Sequence, residues 1–143
     1  MARWRWEGAF SIDVPDGWDV NDFSDGVEVV PPDPSGAAHF STYKRVPPRP
    51  VEPGEASGWL CGFADQQLGV PVDDPPEIAA PLGREARLAC VQQTNEGPRP
   101  WEIAVQVWPE RAVFFTYNHD GSRPDHRDAA LTMFASVEPD RGR

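Results

Sequence analysis

The chain has 143 residues, of which 39% are hydrophobic, and its 23 acidic against 13 basic residues give a formal net charge of −10. This length suits one domain with a core of its own, and the six Trp and seven Phe residues argue against disorder. The negative charge disfavours nucleic acid and anionic membrane surfaces as partners, because the whole molecule would repel them.

No part of the sequence predicts export or membrane insertion. The N-terminal residues lack the continuous apolar segment of a signal peptide, and no stretch approaches the roughly 20 apolar residues that span a bilayer. We therefore expect a cytoplasmic protein with no direct membrane insertion. We expect one domain over residues 1–143, with an ordered core at about 9–138 and a short polar tail. Cys61 and Cys90 are then expected to be small hydrophobic residues rather than a disulfide or a reactive pair.

The first third of the chain shows the pattern of a β-meander. Phe10, Ile12 and Val14 alternate with polar residues, which is the period of a strand with one buried face. Turns rich in proline and glycine separate this segment from those that follow. The sequence predicts four strands here, at residues 9–14, 18–23, 27–30 and 39–45.

The period then changes to that of a helix. Between residues 55 and 68 the apolar residues recur at helical spacing, with Gly54 before the segment and Gly69 after it. Within this predicted helix, Gly58 and Gly62 stand four residues apart. They either let a sheet approach closely or simply weaken the helix.

Three strands and a second helix complete the predicted order. The strands are expected at 84–94, 101–108 and 112–118, the last two forming a hairpin across Pro109-Glu110-Arg111. Ser122 and Asp125 have the spacing of a capping box at the start of the final helix. An apolar stripe follows them and ends before Pro139.

Together these elements predict an α+β domain, a mainly antiparallel twisted sheet of about six strands layered with two helices. Its core is expected to contain the following apolar residues: Phe10, Ile12, Leu60, Phe63, Leu88, Cys90, Ile103, Val105, Val107, Val113, Phe115, Leu131 and Phe134.

The segment Phe10-Ser-Ile-Asp-Val-Pro-Asp-Gly-Trp18, the later Val29-Val-Pro-Pro-Asp-Pro-Ser-Gly36 and the element order resemble the PsbP-like superfamily, especially its small bacterial DcrB-like members. The resemblance covers about residues 10–137. It implies a PsbP-like α/β sandwich without enzymatic activity. One branch comprises cytoplasmic chaperones or adaptors for type VI secretion effectors, which bind apolar helices. No site residue of the family transfers, because the match lies in turns and strand patterns.

Catalytic motifs are not evident, and we predict no catalytic residue, cofactor or metal ligand. The best chemical cluster is His119-Asp120 with Asp125-His126 and Asp128, which could converge on a metal ion. The simpler interpretation is a turn followed by a helix start. Cys61 within a helical apolar pattern is expected to be inert. A further acidic group, Asp73-Asp74 with Glu77, is expected to be a solvated loop.

The predicted hairpin offers a candidate partner-binding surface. If Val105 lies opposite Phe115, and Val107 opposite Val113, strand alternation groups other side chains on the second face. These are the aromatic, amide and hydroxyl residues Gln106, Trp108, Phe114 and Thr116, with Tyr43 beside them. Alternatively, a second helix or Trp4 and Trp6 cover this face, and a shift of one residue would exchange the two faces.

We therefore expect a non-enzymatic cytoplasmic binding module, a chaperone or adaptor that takes an apolar segment of a protein partner, such as a secreted effector, on its sheet face. A small metal-assisted hydrolase built on His119 and His126 is one alternative. The other is a structural subunit whose aromatic face is a permanent interface of a homo-oligomer.

Overall fold

The structure, a computed structural model, describes residues 1–52, 54–72 and 85–140. The elements within them are β1 (Ala2–Trp6), β2 (Phe10–Val14), β3 (Asp19–Phe23), β4 (Gly26–Val30), β5 (Gly36–Lys44), α1 (Glu55–Leu68), β6 (Glu85–Thr94), β7 (Gly97–Val107), β8 (Arg111–His119), α2 (Pro124–Ala135) and β9 (Glu138–Pro139). The predicted acidic loop with Asp73, Asp74 and Glu77 lies outside the described residues.

The largest layer is an antiparallel sheet of six strands in the order β3-β4-β5-β8-β7-β6. A second antiparallel sheet has the order β1-β2-β9. With the two helices these sheets confirm the predicted α+β layered fold. Neither described helix is long and apolar enough to cross a membrane.

The small sheet and α2 cover one face of the large sheet. The core between them contains a row of aromatic rings in which Phe10 and Phe40 are 5.7 Å apart, Phe40 and Phe115 5.1 Å, and Phe115 and Phe134 5.0 Å, between ring centroids. Each of these four rings is fully buried. Their burial removes large apolar areas from water, so this layer dominates the hydrophobic stabilisation.

Helix α1 covers part of the opposite face, where it packs on β6 and β7. Ala56, Leu60 and Ala64 recur every fourth residue and form its buried stripe against the sheet. The helix ends at Gly69, whose left-handed backbone conformation, with φ of 69°, is one that glycine adopts without steric cost. The large sheet therefore has an apolar core on each side.

Most of the predicted core residues are buried, but four are only partly so. Phe63, Leu88 and Cys90 pack at the margin of the α1 layer, and Leu131 at the margin of the α2 layer. The remaining nine predicted residues are within the two cores.

The predicted capping box at α2 is wrong. The N-cap residue is Arg123, and no side chain caps the helix. Ser122 Oγ instead donates to Asp120 Oδ1 at 2.5 Å, and Arg123 holds the Asp125 carboxylate at 2.7 Å. Both members of the predicted box are thus engaged by nearer partners.

Strand β1 lies outside the ordered core that the sequence predicts. Its register places Trp4 opposite Ile12 and Trp6 opposite Phe10, and both tryptophans pack on the core beneath the small sheet. The predicted polar tail is also anchored at its first residue, because Asp140 accepts from Arg5 Nε at 3.1 Å.

Candidate functional site

The hairpin of β7 and β8 differs from the predicted pairing by one residue. Val105 lies opposite Phe114, not Phe115, and Gln106 rather than Val107 lies opposite Val113. The cause is the turn. Trp108 N–H donates to the carbonyl of Arg111 at 2.7 Å, which leaves Pro109 and Glu110 as a two-residue loop instead of the expected three-residue one. A change of one residue in the loop exchanges the faces of one strand relative to the other.

Gln106 and Trp108 therefore do not share a surface with Phe114. Both are buried on the side of the sheet that α2 and the small sheet cover, with 8% and 5% of their surface exposed. Gln106 Nε2 donates to the carbonyl oxygen of Phe134 at 3.1 Å, which joins β7 to α2. The prediction that Gln106 and Trp108 share one open face with Tyr43, Phe114 and Thr116 is therefore wrong.

Tyr43, Phe114 and Thr116 do share a face, and they line a groove of about 800 Å³ beside α1. The groove exists because α1 packs on β6 and β7 and leaves the neighbouring strands β5 and β4 uncovered. The far wall is the hairpin of β3 and β4, where Phe23 is 52% exposed; Tyr43 on the floor is 57% exposed. Two exposed aromatic rings that line one groove are unusual on a surface that has no partner.

Helix α1 contributes two rings to this groove that the sequence did not nominate. Trp59 meets Tyr43 edge-on, with ring centroids 6.1 Å apart. Phe63 packs on Phe114 at 5.2 Å and on Trp101 at 6.3 Å. These contacts hold the rings of helix and sheet as one surface. The helical spacing of Trp59 and Phe63 indicates that they lie on one face of α1. Spacing alone does not show whether that face lines a groove or packs in the core.

Gly58 and Gly62 line the same groove on α1. A Cβ at either position would meet no atom within 4 Å, so neither glycine is needed for the approach of the sheet. That explanation from the sequence is wrong. The pair leaves the helix backbone bare along the groove, at a cost in helix propensity that no contact within the described chain offsets.

A buried ion pair fixes the start of α1 beside the end of β5. Arg45 Nη2 lies 3.2 Å from Glu55 Oε1, and the two side chains are only 5% and 8% exposed. Arg45 Nη1 also donates to the carbonyl of Trp108, and Arg49 approaches the same Glu55 oxygen at 2.6 Å. This connection sets the position of the helix at one end of the groove.

The predicted histidine cluster forms no metal-binding group. Among residues 1–52, 54–72 and 85–140, no set of three or more His, Cys, Asp or Glu side chains has the arrangement to hold an ion. His119 Nδ1 accepts from Gly121 N–H, and burial lowers the pKa of its imidazole. His126 Nδ1 lies 3.2 Å from Ser35 Oγ. Side-chain hydrogen bonds from Arg123 lower the pKa of Asp125 to about 2.

The two cysteines are free and half-buried. Cys61 lies on α1 and Cys90 on β6, where burial raises the pKa of the Cys90 thiol, and the nearby Glu102 carboxylate adds to the effect. A raised pKa keeps a thiol protonated at neutral pH and hence a poor nucleophile.

Comparison with known proteins identifies distant structural relatives. A crystal structure of a protein from Bacteroides thetaiotaomicron matches with a TM-score of 0.65 and 14% identity, over 96% of this chain and 47% of that one. The chain thus spans about half the length of that protein. LpqN, involved in cell envelope biogenesis of Mycobacterium tuberculosis, matches with a TM-score of 0.49 and 14% identity, over 91% of this chain and 82% of that one. Likeness at this identity shows the fold alone. Neither a protein-family model nor a curated protein matches the chain.

Proposed function

We propose that the protein is a non-enzymatic binding module that takes an apolar segment of a partner protein into the groove between α1 and the sheet. The observation that supports this proposal is the groove of about 800 Å³. Six aromatic side chains line it: Phe23, Tyr43, Trp59, Phe63, Trp101 and Phe114. Aromatic residues are enriched in the centres of protein interfaces because they bury large areas with few rotatable bonds.

The openness of the groove favours a protein partner over a small molecule. Small ligands are usually bound in cavities that bury most of their surface. Here Phe23 on the far wall and Tyr43 on the floor both remain more than half exposed. An extended apolar surface that crosses from one ring to the other would cover both of them.

A leucine-rich amphipathic peptide with equal numbers of lysine and glutamate on its polar face tests the proposal. Its fluorescence anisotropy is measured against the wild-type protein and against Gly62→Leu, which adds a side chain at a groove-lining position where a Cβ would meet no atom within 4 Å. We expect Gly62→Leu to weaken binding by at least about tenfold, since the leucine occupies the partner's space.

Thr132→Leu is the matched control. Thr132 is exposed on α2, on the opposite side of the large sheet, so the same kind of leucine is added away from the groove. The control should bind as the wild type does. No binding by the wild type, or equal binding by Gly62→Leu, would contradict the proposal.

The biological setting that we propose is that of a cytoplasmic chaperone or adaptor for a secreted effector, as the PsbP-like resemblance implies. Such a protein shields an apolar helix of its cargo before delivery. Affinity capture from the native host with wild type and Gly62→Leu in parallel tests this. The expected result is an effector recovered only by the wild type, while cell fractionation checks the location.

A further inference from the structure

Strand β5 has a free edge beside the groove. Strand β8 pairs with β5 over its whole length, whereas β4 pairs with it only from Ala38 to Phe40, because the hairpin of β3 and β4 ends there. Among the described residues, positions 41–44 of β5 therefore have a neighbouring strand on one side only. We call the other side of these four residues the β5 edge. An edge of this kind presents backbone hydrogen-bonding groups to a chain that comes alongside.

The backbone groups on the β5 edge belong to Thr42 and Lys44. Arg45 N–H donates to the carbonyl of Glu110 at 2.8 Å, and hydrogen bonding to one neighbour alternates along an antiparallel strand. The N–H and C=O groups of Thr42 and Lys44 therefore point away from β8, toward the side that β4 no longer reaches. Within the described residues none of these four groups has a hydrogen-bond partner.

The segments on either side of the β5 edge leave it open. After β5 the chain follows the turn between β7 and β8, where Arg49 N–H donates to the carbonyl of Pro109 at 3.0 Å. On the other side, Gly26 lies against the backbone of Phe40 and Ser41 where the hairpin turns. The hairpin turn and the last residues of β5 both line the groove, so the β5 edge borders the groove directly.

Opposite charges lie at the two ends of the β5 edge. Asp25 is in the hairpin turn next to Gly26, and Lys44 is the last residue of β5. Both line the groove, and neither side chain forms an ion pair within the parts of the chain that the structure describes. A partner segment with an anion at one end and a cation at the other complements both.

We propose that the partner segment binds in an extended conformation, as a short antiparallel strand added to the β5 edge. This inference rests on the proposed function and names the conformation of its partner. Strand addition pairs the free backbone groups of Thr42 and Lys44, and it directs every second side chain of the partner toward the rings of Tyr43 and Trp59. The acidic end of the partner then lies beside Lys44 and its basic end beside Asp25. A segment that is helical in the folded cargo is held extended here.

The first test compares two peptides of identical leucine, lysine and glutamate composition by fluorescence anisotropy against the full chain. Both begin with glutamate and end with lysine. One carries leucine at every second position, the pattern of a strand, and the other carries leucine at helical spacing. Light scattering first establishes a concentration at which neither peptide aggregates. We expect the alternating peptide to bind at least about tenfold more tightly, because only its leucines fill the groove while its backbone pairs with β5.

Backbone methylation of the alternating peptide tests the hydrogen bonds themselves. In the antiparallel arrangement, the residues between the leucines direct their N–H groups toward β5, and the leucines direct theirs away from it. N-methyl groups on the residues between the leucines should weaken binding by at least about tenfold. N-methyl groups on the leucines are the matched control and should change the affinity by less than about threefold.

Lys44→Pro and Lys44→Gln are a matched pair on the protein. Both remove the charge, but only proline removes the N–H group that faces the partner, and this group is not bonded to β8. We expect Lys44→Pro to bind the alternating peptide at least about threefold more weakly than Lys44→Gln. Circular dichroism checks that both variants are folded. If Lys44→Pro does not fold, the methylated peptides decide the question.

The contrary outcomes separate this inference from the proposed function. Equal or tighter binding of the helix-patterned peptide, or equal effects of the two methylation patterns, would overturn strand addition and leave the groove as a binding site. Equal affinity of folded Lys44→Pro and Lys44→Gln would overturn it too. If neither peptide binds the wild type, both the inference and the proposed function fail.

Discussion

At the level of single residues, Gly58 and Gly62 on α1 line the groove but do not contribute to the stability of the helix. A Cβ at position 58 or 62 would lie in open space, and neither backbone is left-handed, so Gly58→Ala and Gly62→Ala should each stabilise the protein. The expected gain is roughly 0.5–1 kcal/mol per substitution, the helix-propensity difference between the two residues. Urea unfolding followed by circular dichroism measures it.

Gly26 provides the contrasting case. A Cβ there would collide with the backbone carbonyl of Phe40 on the adjacent strand, so Gly26→Ala should destabilise the protein although the change is chemically the same. A loss of stability in all three alanine variants would contradict our view that the helix glycines face empty space.

Buried His119 predicts a pH dependence of stability. Burial lowers the pKa of its imidazole from the ordinary value near 6.5, and this effect outweighs the opposing influence of Glu102 and Asp120. Around and below that value the unfolded chain binds a proton more readily than folded His119 does. The free energy of unfolding should therefore fall as pH decreases from 7 to about 5.

The variant His119→Asn isolates this contribution. Asparagine keeps an acceptor for Gly121 N–H but does not titrate, so the decline in stability between pH 7 and about 5 should be smaller than in the wild type. Urea unfolding across this range measures both curves. Parallel curves would show that His119 is protonated as easily in the folded chain as in the unfolded one.

At the level of secondary-structure elements, the buried ion pair of Arg45 and Glu55 connects the end of β5 to the start of α1. Glu55→Gln leaves the Arg45 guanidinium buried without its carboxylate, and we expect a loss of about 3 kcal/mol. Arg49→Gln removes the more exposed arginine from the same carboxylate and should cost less than about 1 kcal/mol. Chemical denaturation of both variants measures the difference. Equal losses of unfolding free energy would contradict the view that the Arg45–Glu55 pair is the buried, stronger one.

Element order was predictable because strand and helix periods differ, but the faces of the hairpin were not. Strand β7 is buried on both sides from Ile103 to Val107, so its residues give no signal as to which face meets which helix. The register then depends on whether the turn takes two residues or three, and Pro109-Glu110-Arg111 is compatible with both.

Tertiary partners explain the other differences between prediction and structure. Trp4 and Trp6 alternate with arginines, which is the pattern of a strand. The order of β1 nevertheless depends on its pairing with β2 and on Asp140, which lies 135 residues after Arg5, so the local sequence does not show it. Three members of the predicted surface, Tyr43, Phe114 and Thr116, line the groove. Their partners Trp59 and Phe63 were not recognised, because only the packing of α1 shows which strands it leaves bare.

At the scale of the whole molecule, the large sheet is covered on one side and half-covered on the other. A permanent oligomer would use the open half as an interface between copies, but each copy carries a charge of −10 and would repel the next. We expect the free protein to be monomeric over a dilution series measured by light scattering. An oligomer that persists on dilution would favour a structural subunit instead.

We propose the groove beside α1 as the place where an apolar segment of a partner binds. Backbone amide NMR shifts of the isotopically labelled protein, recorded as the leucine-rich amphipathic peptide is added, locate its binding site. We expect the largest changes in α1, β5 and β8, around Tyr43, Trp59 and Phe114. Changes centred instead on α2, the small sheet or the outer edge of β6 would contradict it.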